Sequence, residues 1–215
     1  MFYFVRTPGW LKKIYAGCTW QMDTSQKKIY LSFDDGPHPI VTRFVLDILD
    51  SYNAKATFFC IGKNVEAHPE MYRQILAGGH AVGNHTFNHL NGWKTPDQMY
   101  IENIDKAGQW ITTSLFRPPY GKISFGQLKK LSITQPTLKI IMWSVLSADF
   151  DRKITAEKCL KNVLEYTDNG SIVVFHDSEK AFEKLQFALP KMIKHFARLG
   201  YSFEKIISQG GGVSI

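Results

Sequence analysis

The chain has 215 residues, 44% hydrophobic and 21% charged, which supplies one sizeable core and excludes a disordered or low-complexity protein. Its net charge is +7, but the basic residues are scattered, as in Lys12, Lys13, Lys27, Lys28, Lys129 and Lys130, so no nucleic-acid partner is expected. Cys18, Cys60 and Cys159 stand far apart with no CxxC, which argues against a disulfide framework and a cysteine zinc site.

Met1 to Tyr15 is apolar and basic enough to touch a membrane surface, although packing onto the domain is the expectation. YAGC loosely resembles a lipoprotein cleavage box, but Pro8, Gly9, Lys12 and Lys13 interrupt the apolar stretch that such a signal needs. No run approaches the roughly 18–20 apolar residues of a membrane span. The expected location is therefore cytoplasmic, with envelope association as the alternative. Residues 1–28 read as an extension and 29–215 as one domain.

Short apolar runs then alternate with helix-period segments. Ile29–Phe33 reads as a strand, 41–52 as a helix, Ala56–Ile61 as a strand, Lys63–Ala77 as a helix and Ala81–Asn84 as a short strand. Thr95-Pro96-Asp97-Gln98 predicts a helix start with Thr95 as N-cap and Gln98 closing the box, running to about Thr113. Leu115–Arg117 is strand-like, Ser124–Leu131 helical, Leu138–Val145 a strand, Ala156–Tyr166 a helix and Ser171–Phe175 a strand. A helix over Lys184–Leu199 ends at Gly200, and Tyr201–Ile206 is the last strand. This alternation predicts an α/β fold with a mostly parallel sheet, a distorted, incomplete (β/α) barrel of about seven parallel strands. Function in such barrels gathers at the C-terminal ends of strands, where Asp34, Asp35, His85, Arg117, Asp149 and His176 all fall.

In YLSFDDGPHP two acids sit side by side, an arrangement that costs energy unless something uses both. His85 and His89 in GNHTFNHL have the i, i+4 spacing that would set two imidazoles on one side of a helical turn. Asp34 or Asp35 would complete a His₂-carboxylate set with one position open for water and substrate. Successive side chains on an extended chain diverge, so the other acid is free to act as general base. His176, ending SIVVFHD, would be the acid across the cleft, with Asp149 holding its far nitrogen. Arg117 in FRPPYG would pair with Asp34, and the stiff proline loop would fix a backbone N–H such as that of Tyr120 for an oxyanion.

FDDGP, HTFNH, RPPYG, a Trp143-Ser144 to Asp149-Phe150 stretch and VVFHD occur in this order between Ile29 and Ile206. The set resembles the polysaccharide deacetylase family, carbohydrate esterase family 4. The resemblance implies Asp34 as base, Asp35, His85 and His89 as metal ligands, and Arg117 as the residue orienting the base. It further implies the Tyr120 N–H as oxyanion donor and His176 as general acid tuned by Asp149, with Pro118, Pro119, Phe150 and Val174 about the substrate pocket. Three positions depart from the family pattern: Leu146 stands for an acid, Phe150 for a tryptophan and Val174 for a leucine. The implied activity is metal-dependent hydrolysis of N-acetyl groups on an aminosugar polymer or glycoconjugate of peptidoglycan or chitin-oligomer type. The implied cofactor is a divalent ion, zinc first, although other divalent ions suit the same donors. A related amidase on a small cyclic amide and a catalytically dead saccharide-binding domain are the alternatives. Asp151 has no role in this reading.

Overall fold

The computed structural model describes residues 3–207; the outermost residues of the two expected end segments, 1–2 and 208–215, lie outside them. After a short helix α1 (Gly9–Ile14), the elements are β1 (Lys28–Asp34), α2 (Val41–Ser51), β2 (Ala56–Cys60), α3 (Gly62–Ala67), α4 (Pro69–Ala77) and β3 (Ala81–Asn84). Then come α5 (Asp97–Gly108), β4 (Leu115–Phe116), α6 (Phe125–Thr134), β5 (Lys139–Ile140), β6 (Val145–Leu146), α7 (Ala156–Tyr166), β7 (Ile172–His176), α8 (Phe182–Arg198) and β8 (Ser202–Phe203). Seven strands follow one path, β5-β4-β3-β2-β1-β7-β6, with β8 paired to the start of β1. Every one of these pairings is parallel. The path has two free ends, β5 and β6, so the barrel is incomplete.

The period of two along β1 builds the site. Ile29, Leu31 and Phe33 are fully buried in the large core shared with α2, α7 and α8. Phe33 stacks on Phe58 of β2 and on Phe175 of β7, with ring centroids 5.1 and 6.3 Å apart. Burial of each such ring stabilises the fold by roughly 1.5–3 kcal/mol. Tyr30, Ser32 and Asp34 therefore face the barrel interior. Helices cover the outer face through i, i+3, i+4 stripes, as with Val41, Val45 and Leu49 on α2 and Leu185, Leu189, Met192 and Phe196 on α8.

Residues before β1 span the open side of the barrel. Arg6 bridges Val145 antiparallel, Thr19 bridges Ile141 in parallel, and Gln21 bridges Ser171 antiparallel. Cys18 and Trp20 are buried beside Tyr100, Phe116 and Met142 in a second core cluster. All three cysteines are free and buried. Among the described residues, no helix is long and apolar enough to cross a membrane.

Several boundaries differ from the sequence reading. The segment expected as one helix over Lys63–Ala77 is two helices, because Pro69 starts a new one after His68 leaves helical geometry. Thr95 does not cap α5: its hydroxyl donates to Asn91 O at 2.9 Å, Pro96 takes the N-cap position, and Gln98 bonds Glu102 instead. A full capping box occurs at α6, between Ser124 and Gln127. The strand expected over Leu138–Val145 breaks into β5 and β6, since Ile141 and Met142 turn their carbonyls to Arg117. The last strand shrinks to Ser202–Phe203.

Candidate functional site

Asp34 closes β1, 4% exposed, and Arg117, just beyond β4, is fully buried. Arg117 Nη1 donates to Asp34 Oδ1 and to Ser32 Oγ, both at 2.7 Å. Its Nε reaches Ile141 O at 3.2 Å, its Nη2 reaches Met142 O at 3.0 Å, and its guanidinium lies 4.0 Å over the Phe59 ring. Burial draws the guanidinium pKa down from its ordinary value, and the Asp34 charge and hydrogen bond oppose that fall. A buried cation persists only when paired and hydrogen-bonded, as this one is. Asp34 Oδ2 takes no hydrogen bond among the described residues and is left for chemistry.

Asp35 does not continue the strand. Its φ is 81°, so a left-handed turn, rather than simple strand alternation, separates the two carboxylates. Neighbouring elements hold that turn. Asn64 Nδ2 donates to Asp35 O at 2.7 Å, and Asp177 Oδ1 accepts from Gly36 N–H at 3.0 Å. Asp177 Oδ2 accepts from the Thr42 hydroxyl at 2.5 Å, and its N–H donates to Asp34 O at 3.0 Å. A Cβ on Gly36 would sit 2.0 Å from Asp177 Oδ2, so only glycine fits there. Burial pushes the Asp177 carboxyl up to about 7, against the hydrogen bond from Thr42. Thr42, Asn64 and Asp177 are supporting residues that sequence reasoning passed over. The aspartate that ends VVFHD was the one available signal.

His85 and His89 come together, but not on a helical turn. They lie in a loop after β3 in which Thr86 and His89 have φ of 63° and 56°. Side chains hold this loop in place of a helical ladder: Asn84 Oδ1 accepts from Thr86 N–H, and Asn103 Oδ1 from Phe87 and Asn88 N–H. The buried His85 has Nδ1 2.7 Å from Arg117 O, which assigns the proton to Nδ1 and leaves the Nε2 lone pair free. His85 Nε2 and His89 Nε2 lie 3.8 and 3.2 Å from Asp35 Oδ1. One ligand atom from each of the three residues falls within 4.8 Å of the others, and no second such group occurs among the described residues. Asp35 Oδ1 is buried and makes no hydrogen bond, an orphan that a cation would satisfy. Burial would raise the Asp35 carboxyl, yet His89, His176 and His85 together hold it well below the usual carboxylate range. Burial lowers His85 to about 4. At neutral pH the trio is thus an anionic oxygen and a neutral imidazole nitrogen beside His89, donors that suit a divalent ion such as zinc.

On β7, His176 Nδ1 meets Asp149 Oδ1 at 2.7 Å, and the His176 N–H donates to Asp149 Oδ2 at 2.8 Å. Burial disfavours the imidazolium, but Asp149, helped by Asp35 and Asp34, outweighs it and raises His176 to about 9. The raised pKa makes the stability contribution of the pair full below the ordinary value near 6.5 and lost as pH rises through 9. Asp149→Asn is expected to drop His176 toward or below 6.5, and its stability deficit against the parent should be larger at pH 6 than at pH 10. Histidine NMR titration and denaturation at the two pH values check this; an equal deficit at both would refute the coupling.

Tyr120 has φ 61° and a half-exposed ring 4.5 Å from that of His89. The turn's hydrogen bonds come from Gly121 and Lys122, so the Tyr120 N–H has no acceptor among the described residues. Phe150 meets His176 edge-on at 5.1 Å. Pro118, Pro119 and Val174 are buried. Asp35, Thr86, His89, Tyr120 and Ala148 are five of the six non-glycine residues with positive φ among those described; all border this site, and only Asn53 does not. Such strain collects where function over-determines the backbone.

Residues 21–133 match the family model described as polysaccharide deacetylase. A peptidoglycan-N-acetylglucosamine deacetylase of Bacillus cereus is 34% identical over 192 residues, covering 86% of this chain and 89% of that protein. A chitooligosaccharide deacetylase of Azorhizobium caulinodans is 35% identical over 160 residues, 71% of this chain and 75% of that one. The crystal structure of a peptidoglycan N-acetylglucosamine deacetylase in complex with 4-naphthalen-1-yl-N-oxidanyl-benzamide superposes with a TM-score of 0.82 at 30% identity, over 93% of this chain and 95% of that chain.

Proposed function

The chain belongs to the polysaccharide deacetylase family, and on that premise we propose that it hydrolyses N-acetyl groups from an aminosugar polymer or oligosaccharide of peptidoglycan or chitin-oligomer type. The observation that carries the reading is the adjacency of a buried, ion-paired Asp34 to the Asp35, His85 and His89 trio, with its orphaned carboxylate oxygen. Asp35, His85 and His89 would hold a divalent ion, with zinc the proposed occupant, that supplies positive charge to acidify a water and polarise the amide carbonyl. Asp34, fixed through Oδ1 by Arg117, takes the water's proton at Oδ2. The Tyr120 N–H donates to the oxyanion that forms on the carbonyl, a contribution of roughly 10²–10³ in rate. His176, kept protonated by Asp149, gives its proton to the departing amine. Pro118, Pro119, Phe150 and Val174 shape the surface that receives the sugar and its acetyl group.

The deciding experiment is acetate release from chito-oligosaccharides and peptidoglycan fragments, measured after chelation and after adding back single metals. Turnover should disappear on chelation and return with one or a few divalent ions. Because His85 is buried with one nitrogen committed to Arg117, His85→Ala should weaken ion affinity at least ~100-fold, read by competition with a fluorescent chelator. Ion affinity unchanged in that variant would remove His85 from the ligand set.

A further inference from the structure

We propose that the segment before α1 contributes to the active face, with Tyr3 acting as a positioning residue for Phe150 and His176. Residues 5–7 run antiparallel to β6: Val5 O accepts from Leu146 N–H at 2.8 Å and the Thr7 N–H donates to Ser144 O at 3.0 Å. A strand antiparallel to β6 brings its earlier residues toward the C-terminal end of β6, the end at which Asp149 and Phe150 follow. Tyr3 arrives there. Its hydroxyl donates to Asp151 Oδ2 at 2.7 Å. Asp151 is itself held in a turn, its N–H bonded to Ala148 O and its Oδ1 accepting from Lys153 N–H at 2.9 Å. The Tyr3 ring meets Phe150 edge-on, with centroids 5.5 Å apart, and Phe150 in turn meets His176 edge-on at 5.1 Å.

Phe150 has no polar atom with which to fix its own ring, so its orientation depends on its neighbours: the Tyr3 and His176 rings, each T-shaped to it, and Lys180 Nζ, 5.6 Å over its face. The chain of contacts runs Asp151, Tyr3, Phe150, His176. This gives Asp151 a role, as the acceptor that locks Tyr3. Aromatic edges and faces suit the C–H surfaces of a sugar ring, so the Tyr3–Phe150 pair forms one wall for a saccharide. That part of the inference rests on the function proposed above.

The test uses Tyr3→Ala, Asp151→Leu and Asp151→Asn in the full chain, with KM and kcat on soluble chito-oligosaccharides and the ring resonances of His176 by NMR. Tyr3→Ala and Asp151→Leu are expected to raise KM about tenfold with kcat changed less than about threefold, and to shift the His176 resonances. Asp151→Asn, whose amide oxygen still accepts from Tyr3, should restore the parent values. If Tyr3→Ala lowers only the melting temperature, with KM, kcat and the His176 resonances unmoved, the segment merely covers the β6 edge and the inference is overturned. If the parent releases no acetate, the proposed function fails, while the His176 resonances still decide whether Tyr3 positions Phe150.

Discussion

Asp34→Asn is expected to keep ion affinity within about twofold of the parent and to reduce acetate release roughly 10²–10⁴-fold, the usual contribution of a positioned general base. In the proposed mechanism the two effects separate because different carboxylates would serve the two tasks. Asp35 approaches both imidazoles, while Asp34 Oδ1 is committed to Arg117 and only Oδ2 is open. Asparagine preserves the shape and can still accept from Arg117 through its amide oxygen, but it has no basic oxygen for water. Acetate release by coupled assay and chelator competition on the same preparation check this. Turnover within a few fold of the parent would mean that another group takes the proton.

Arg117→Met is expected to be the most destabilising single change at the site, by about 3–5 kcal/mol, measured by urea denaturation. The guanidinium is fully buried and is donor to a carboxylate, a hydroxyl and two main-chain carbonyls. Methionine fills the space beside Phe59 but satisfies none of them, and an uncompensated buried carboxylate accounts for most of the loss. The double variant with Asp34→Asn should lose less than the sum of the two single losses, because the second change removes the charge that the first one strands. Strict additivity would show that the pair is not coupled. Since the carbonyls of Ile141 and Met142 also turn to this side chain, the variant should loosen the break between β5 and β6.

The sequence made the order of strands and helices and the position of each chemical group at a strand end readable, because apolar period and strand-end placement are local properties. The spacing in HTFNH predicts a histidine pair on a helical turn; the two rings do meet, but on a loop. What brings the rings together is a loop propped by Asn84 and Asn103, with two non-glycine residues in left-handed geometry. The β-branched Thr86 disfavours that conformation and His89 only tolerates it better than most residues, so tertiary contacts impose it. Thr95 misled in the same way, since its hydroxyl found Asn91 O in place of the start of α5. Asp177 and Tyr3 stayed hidden because each acts across the fold, on Gly36 and on Asp151, at separations that no motif encodes.

The ring of left-handed residues has an energetic consequence for the molecule's fluctuations. Each costs of order 1–3 kcal/mol, against a net stability of about 5–15 kcal/mol for a whole domain. Springing these loops loose sheds that cost while the stacked phenylalanines beneath stay closed. Amide hydrogen exchange should therefore be graded, rapid in the loops after β1, β3 and β4 and slow along the strands that carry them. Ligands that lock the loops will then register as local exchange protection before they register in the melting temperature.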